Sequence, residues 1–267
     1  MHRASKLPVP YIKTDAEVIA LEKACRIVAE TLSTLTKYMK PGVSTLELDQ
    51  IAEDYIRSKN ANPSCKGYRW GRHVFPATLC TSVNEEIVHG IPSERKLVEG
   101  DIVTCDCVAD INGFFGDSSV TYAIGEISEE KKKLMRITEE ALFLGIEQAI
   151  DGNKLYDICG AVQRHCEENG CSVTRELVGH GIGREMHEEP AIPNFIPPLL
   201  YRKSYPNVKL AKNMAICIEP MVHAGAKYTK EMPNGWTFVT ADGSPAAHFE
   251  HTVLVDKGKA RILTLRD

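Results

Sequence analysis

Apolar residues recur at helical spacing, every three or four positions, in four segments of the chain. The first segment follows Thr14-Asp-Ala-Glu17, a capping-box pattern, extends to Met39 and stops at Pro41-Gly42. A second capping box begins at Ser44. The predicted helices begin after Thr14, after Ser44 (ending near Asn60), after Ser128, and at about Leu155 (ending near Asn169). Residues 1–12 are predicted to form an extended lead-in.

Two shorter apolar runs meet at Asn112-Gly113 within residues 102–119. Asn-Gly between hydrophobic runs is the strongest short-range hairpin signal, because both residues tolerate the positive φ of a type I′ turn. With these two residues at the turn, the facing pairs are Ile111 with Phe114, Val108 with Asp117, and Asp106 with Ser119.

Asp106 and Asp117 then lie on one face of the hairpin as diagonal neighbours, with Cα atoms roughly 7–8 Å apart. Two carboxylates in so apolar a segment repel each other and lose hydration, and a cation between them removes that cost. The alternative is a bulge that slips the register and turns each carboxylate to solvent. Cys105 and Cys107 point to the opposite face and are interpreted as core residues.

The second pair of helices resembles the first pair. A shift of 110 residues places Gly42 on Gly152, and Arg26 and Glu30 on Arg136 and Glu140. The sequence therefore predicts two duplicated helix–helix–strand halves, at about 13–125 and 126–267, within one catalytic domain. Strands from both halves would form a common sheet with the helices outside, an α+β architecture with a cleft lined by both halves.

Composition excludes several classes of function. A net charge of −4 gives no electrostatic reason to expect a nucleic-acid partner, and no run of eighteen apolar residues could span a membrane. The N-terminus has no apolar core of a signal peptide. Nine cysteines, an odd number without a CxxC pair, favour reduced thiols in a cytoplasmic protein.

The second half contains complementary candidates for a site. His180 and His187 lie beside glycines on segments predicted to be extended, and Glu219 ends the apolar run Ala215–Ile218 immediately before Pro220. Glu250 begins an alternating strand. The remaining histidines of this region are interpreted as structural or exposed, namely His223, His248 and His251.

Together, four carboxylates and one imidazole form a predicted ligand set: Asp106, Asp117, His180, Glu219 and Glu250. Oxygen and nitrogen ligands of this kind suit Mn, Fe, Co or Zn. Four carboxylates exceed the charge of a single divalent ion, which favours two ions per chain, about 3.5–4 Å apart, as in two-metal hydrolases. Such a pair lowers the pKa of a bound water, so that hydroxide is available as a nucleophile.

The order HGIP, Asp-x₁₀-Asp, GHGIG, HEEP, IEP and FEHT resembles that of type I methionine aminopeptidases, from about Tyr11 to the end of the chain. The resemblance implies the pita-bread fold, with pseudo-two-fold symmetry around a mostly antiparallel curved sheet. It implies the same five metal ligands, of which Asp117 and Glu250 bridge two ions and Asp106 chelates one. Glu219 would also accept the proton of the attacking water.

The resemblance also implies roles for residues that contact the substrate. His89 would contact the scissile amide or leaving amine, and His187 would donate to the carbonyl oxygen as it gains charge. A pocket for the methionine side chain would be lined by Cys65, Tyr68, Phe75, Cys80 and Trp236. The stretch SCKGYRWGRHVFP is longer than its usual counterpart, so either Tyr68 or Trp70 could line the pocket. Ordinary core packing is the alternative for all of these pocket residues.

The expected activity is removal of the N-terminal methionine from nascent chains, preferentially when the second residue is small. The expected setting is the cytoplasm near the ribosome, with the protein a monomer that has no nucleic-acid or membrane partner. Two alternatives remain open at this point. One is a proline-directed peptidase of the same fold, and the other is a metal-free binding protein that kept the fold without the chemistry.

Overall fold

In the computed structural model, which describes residues 11–266, four long α-helices form where the apolar periodicity predicts them. They are α1 (Asp15–Leu35), α2 (Thr45–Ser58), α3 (Glu129–Glu147) and α4 (Leu155–Glu168). Residues 1–10, most of the predicted lead-in, lie outside the described residues.

Both predicted capping boxes are present and set the starts of α1 and α2. The Thr14 hydroxyl accepts from the backbone N–H of Glu17, whose carboxylate accepts from the N–H of Thr14, at 3.3 and 2.9 Å. Ser44 and Glu47 repeat this arrangement at 3.1 and 2.6 Å. Each cap is worth about 1 kcal/mol. The first helix is shorter than predicted, because a tighter 3₁₀ turn (Thr36–Tyr38) follows Leu35 and leaves Met39 outside it.

The strands of the first half are short except for one long hairpin. They are β1 (Asn62–Pro63), β2 (Arg69–Trp70), β3 (His73–Val74), β4 (Leu79–Val83), β5 (Glu86–Val88), β6 (Ile102–Ile111) and β7 (Phe114–Ala123). The β6–β7 register is the predicted one, with Asp106 opposite Ser119 and Val108 opposite Asp117. Asn112 and Gly113 have φ of 55° and 76°, as the type I′ turn requires. The slipped register is therefore excluded.

Ten further strands and a 3₁₀ turn (Leu199–Tyr201) complete the described chain. The strands are β8 (Ser172–Val173), β9 (Gly179–Gly181), β10 (Glu188–Ile192), β11 (Ala215–Ile218), β12 (Met221–His223), β13 (Thr229–Glu231), β14 (Phe238–Thr240), β15 (Ala246–His248), β16 (His251–Leu254) and β17 (Arg261–Ile262). The largest sheet has the order β10-β9-β11-β16-β17, and all pairs of these named strands are antiparallel. The architecture is the predicted α+β arrangement.

Each pair of helices covers its own apolar core. One cluster of buried side chains draws only on positions between 27 and 124, and a second draws on positions between 134 and 260 together with Ile102. The two regions are joined between β7 and residues 248–252. There the Thr252 hydroxyl donates to Asp117 O at 2.7 Å and accepts from Asp117 N–H at 3.2 Å, while Ser118 donates to Glu250 O. This seam brings Asp117 beside Glu250.

Gly116 provides a test of how closely α1 packs on the hairpin. A Cβ at Gly116 would lie within 3.0 Å of backbone atoms of Ala24 and Cys25, which cannot move aside. We predict that Gly116→Ala lowers the free energy of unfolding by more than about 2 kcal/mol, within the range for overpacked cores. Gly160→Ala in α4 is the control, since it meets only the flexible end of Ile196 and gains about 0.5–1 kcal/mol of helix propensity. Urea unfolding of both variants measures the difference, and wild-type stability of Gly116→Ala would contradict this packing.

Candidate metal centre

His180 lies on β9, which pairs with β10 on one side and with β11 on the other. A Cβ at Gly179 or Gly181 would come within 3.0 Å of the carbonyl oxygen of Cys217 or Glu189, so only glycine permits these strands to pair on either side of His180. The Nδ1 atom of His180 lies 2.9 Å from the Gly181 carbonyl oxygen. Because that contact requires Nδ1–H, the lone pair of a neutral ring is on Nε2.

The five predicted ligands converge on one cavity at the seam between the two halves. The Nε2 atom of His180 lies 3.7 Å from Asp117 Oδ2 and 3.6 Å from Glu219 Oε1. Ligand atoms of Asp117, His180 and Glu250, together with the sulfur of Cys217, lie within 4.8 Å of one another. Asp106 lies diagonally across the hairpin from Asp117, and it lines the same cavity.

The carboxyl groups of this cluster are buried without a permanent counter-ion. Within residues 11–266, no Lys or Arg lies at ion-pair distance from Asp106, Asp117, Glu219 or Glu250. Burial raises the pKa of the Asp106 carboxyl and, together with neighbouring negative charges, raises the pKa values of the other three well above their ordinary range. One oxygen each of Asp106, Asp117 and Glu250 is fully buried and has no hydrogen-bond partner.

These unpartnered oxygens fit a divalent cation. Buried charges in proteins are paired or coordinate metals, and carboxylate oxygens with one imidazole nitrogen are a donor set for Mn, Fe, Co or Zn. Burial lowers the pKa of His180 to about 3, so the ring is neutral and able to donate its Nε2 lone pair. Asp106, Asp117, His180, Glu219 and Glu250 could therefore hold a metal ion, and this ligand set stays a prediction.

Cys217 was not predicted to lie here. It pairs directly with His180 across the β9–β11 ladder, and its sulfur lies 3.6 Å from the Thr252 hydroxyl. Burial and the charges of Glu250 and Asp117 raise the pKa of this thiol well above its ordinary value. A thiol must lose its proton to be a strong ligand, so we regard Cys217 as packing beside the centre.

His89 and His187 both border the same cavity. His89 follows β5 with φ of 57°, an unusual conformation for a residue with a side chain, and burial lowers its pKa to about 4. His187 is exposed at the mouth, where its ring lies edge-on to His180 with centroids 4.4 Å apart. Its Nδ1 atom lies 3.1 Å from the Tyr68 hydroxyl.

An apolar wall adjoins the carboxyl cluster within a cavity of about 630 Å³. All five residues predicted for a side-chain pocket lie in it: Cys65, Tyr68, Phe75, Cys80 and Trp236. Phe75 packs edge-on against Trp236 at 5.2 Å, and Tyr68 is 6.4 Å from the same indole. Trp70 also borders the cavity but is 68% exposed, which places it at the rim and Tyr68 in the wall.

His248 was interpreted from the sequence as structural or exposed, and the structure places it in the cavity. Its side chain is buried in the cavity wall, with Nε2 3.6 Å from Glu219 Oε2, and burial lowers its pKa to about 4. The period-two pattern could have located it, because residues 248 and 250 of an extended segment share a face. His223 and His251 are buried and hydrogen-bonded, as interpreted.

Comparison with known proteins agrees with this arrangement. Residues 20–257 match the profile of metallopeptidase family M24. The chain is 49% identical over 255 residues to a methionine aminopeptidase of Clostridium acetobutylicum, covering 95% of this chain and 98% of that protein. The chain belongs to metallopeptidase family M24, among the methionine aminopeptidases.

Solved structures of M24-type enzymes share the fold. A methionine aminopeptidase from Rickettsia prowazekii superimposes with a TM-score of 0.90 at 36% identity, covering 96% of this chain and all of that one. The prolidase of Pyrococcus furiosus has a TM-score of 0.72 at 22% identity, with 96% of this chain and 66% of that one covered. The second likeness establishes the pita-bread fold alone.

Membership of this M24 group decides between the alternatives left open by the sequence. The protein is a metal-dependent aminopeptidase, and neither the proline-directed peptidase nor the metal-free binding protein is favoured. It uses divalent metal, which matches the oxygen-rich cluster described above. Across residues 11–266 no helix is both long and apolar enough to cross a lipid bilayer.

The raised carboxyl pKa values predict a pH-dependent stability of the metal-stripped M24 enzyme. Where folded pKa values exceed unfolded ones, the folded state binds more protons, so the contribution of these carboxyls to stability falls as pH rises from about 4 through the raised values. Divalent metal opposes this loss, by about 2.7 kcal/mol at a hundred times the Kd. We therefore expect Mn²⁺ to raise the melting temperature more at pH 8 than at pH 5. Equal gains at both pH values, or no gain, would contradict the site.

Proposed function

We propose that the protein removes the N-terminal methionine from nascent polypeptides, preferentially when the second residue is small. One observation carries this proposal: a buried cluster of four carboxyls and a histidine shares a single cavity with an apolar pocket and three further histidines. The cluster suits hydrolysis, and the pocket suits an unbranched apolar side chain held beside it. The names of the similar proteins support the same activity.

Each residue of the site has a proposed part in the reaction. Asp106, Asp117, His180, Glu219 and Glu250 hold the metal, which when bound acts as a Lewis acid and lowers the pKa of water. The Glu219 carboxylate accepts a proton from the attacking water. His187 at the cavity mouth donates to the carbonyl oxygen as it becomes negative, and His89 contacts the scissile amide or its leaving amine.

We propose two divalent ions per chain, drawn from Fe, Mn, Co and Zn. Four ionised carboxylates carry four negative charges, which two divalent ions neutralise and one does not. Asp117 and Glu250 are held side by side at the seam by Thr252 and Ser118, which supports the proposal that both ions would share them. Asp106, on the same face of the hairpin, would chelate one ion.

The methionine side chain is proposed to occupy the apolar wall of the cavity. Buried Cys65, Phe75, Cys80 and Trp236 offer small thiols and aromatic edges, which pack well with a polarisable thioether. Tyr68 closes this wall next to His187. A side chain bound there would place the following peptide bond beside the carboxyl cluster.

We propose that the enzyme acts in the cytoplasm, on the N-termini of nascent chains near the ribosome. We expect a monomer, and no nucleic-acid or membrane partner. The net charge of −4 and nine buried, free cysteines support this setting.

The deciding experiment is hydrolysis by metal-stripped protein with each divalent ion added back separately. We expect release of methionine from Met-Ala-Ser only after metal is restored, and little cleavage of Met-Leu or Xaa-Pro peptides. Preferential Xaa-Pro cleavage would replace the proposal with a proline-directed activity. Absence of hydrolysis with every ion would refute both.

Removal of one predicted ligand is expected to abolish turnover. Glu219→Gln and Asp106→Asn each remove a negative oxygen from the centre while preserving shape, so we predict loss of activity with the fold retained by circular dichroism. Asp110→Asn is the matched control, because Asp110 lies on the same strand but contacts Asn62 and Ser64. Substantial activity in either ligand variant would refute the assignment.

His89 is expected to affect kcat through its ring. We predict that His89→Ala lowers kcat by about 10²-fold or more, the usual scale for a catalytic donor. His89 has φ of 57°, a conformation that Asn tolerates. The variant His89→Asn therefore removes the imidazole ring without adding backbone strain. Equal losses of kcat in His89→Ala and His89→Asn would support a role of the imidazole ring. A wild-type kcat in His89→Asn would instead show that the loss in His89→Ala comes from backbone strain.

A further inference from the structure

His248 has an unusual environment for a buried polar side chain. It is 1% exposed, and neither Nδ1 nor Nε2 has a hydrogen-bond partner. Buried polar atoms in proteins are nearly always paired, so each unpaired atom needs an explanation. Two other buried histidines satisfy that rule. His223 contacts Thr174 and Ala226 at 2.8 and 2.9 Å, and His251 contacts Thr264 at 2.9 Å.

The backbone of His248 is fixed firmly. Its N–H donates to the Thr121 hydroxyl at 3.0 Å, and its carbonyl accepts from the same hydroxyl at 2.9 Å. It also pairs with Met221 in the β12–β15 ladder. The backbone that carries the ring is therefore held by strands from both halves of the protein.

The ring faces the Glu219 carboxylate, and Asp106 and His89 are also close enough to interact with its charge. Nε2 of His248 lies 3.6 Å from Oε2, while the other oxygen, Oε1, lies 3.6 Å from Nε2 of His180. A hydrogen bond needs about 2.7–3.2 Å, so a shift of the carboxylate by about 0.5 Å would complete one. Hydrogen bonds at catalytic sites are commonly long in the empty protein and shorten on binding.

We propose that His248 is a positioning residue for Glu219: its Nε2–H donates to Oε2 and orients the carboxylate so that Oε1 faces the metal and the reacting water. This rests on the role given to Glu219 in the proposed function. Asp106, Asp117 and His180 lie on strands, whereas Glu219 follows the end of β11 and Glu250 lies between β15 and β16. The carbonyl oxygen of Glu219 accepts from the Asn194 side-chain amide at 3.0 Å. A contact from His248 would orient the Glu219 side chain from outside the ligand set. Such outer contacts typically contribute 10- to 100-fold in metal affinity or activity.

The first test compares three variants in Mn²⁺ affinity of the metal-stripped protein and in steady-state kinetics. His248→Phe keeps the bulk but has no donor, so we expect 10- to 100-fold weaker Mn²⁺ binding and a lower kcat with little change in KM. His248→Gln retains a donor and is expected to remain within about threefold of wild type. His223→Gln, on the adjacent strand β12 but with both nitrogens paired away from the cavity, is the control and is expected to match wild type in both measurements.

The second test uses the wild-type protein, so it does not depend on whether the His248→Phe variant folds. With ¹⁵N-labelled histidine in Zn²⁺-loaded wild type, we expect the His248 ring to carry its proton on Nε2, with the shift of a hydrogen-bonded donor. A proton on Nδ1 alone would overturn the proposal. So would wild-type Mn²⁺ affinity and kcat in a folded His248→Phe variant.

The outcomes separate this inference from the proposed function. If Glu219→Gln is inactive while His248→Phe behaves as wild type, His248 only fills space and the peptidase assignment stands. If wild type hydrolyses no methionyl peptide with any ion, the function fails, and the affinity and tautomer measurements still decide whether His248 contacts Glu219.

Discussion

The site depends on four carboxyl groups that are brought together in a buried space where, within residues 11–266, no Lys or Arg pairs with them. Folding must work against both desolvation and repulsion to place Asp106, Asp117, Glu219 and Glu250 side by side. A protein retains such an arrangement when a cation completes it. Metal binding is thus tied to the packing of the two halves, because each half provides two of the carboxyls.

The scaffold holds these groups in place with small residues and hydroxyls. Gly116 lets α1 cross close over the hairpin, and Gly179 lets β9 approach β11. Thr252 satisfies both backbone groups of Asp117, so the aspartate is fixed relative to the strand that follows Glu250. The polar cluster is therefore supported by close backbone packing and by hydrogen bonds between the two halves.

Local rules predicted much of this structure. The Asn112-Gly113 turn fixed the hairpin register, and hence the diagonal relation of Asp106 to Asp117, since side chains alternate strictly along paired strands. Capping boxes located two helix starts to the residue. Packing between segments distant in sequence was beyond such rules. The position of Cys217 and the choice between Tyr68 and Trp70 both depend on it, as does the burial of His248 against Glu219.

The central claim is that the buried carboxyl cluster is a metal site. The most direct measurement is anomalous diffraction from crystals grown with Mn²⁺ and recorded near its absorption edge. The account predicts two peaks, about 3.5–4 Å apart, among the oxygens of Asp106, Asp117, Glu219 and Glu250, one of them next to Nε2 of His180. No peak within this cluster, with the four side chains in place, would contradict it.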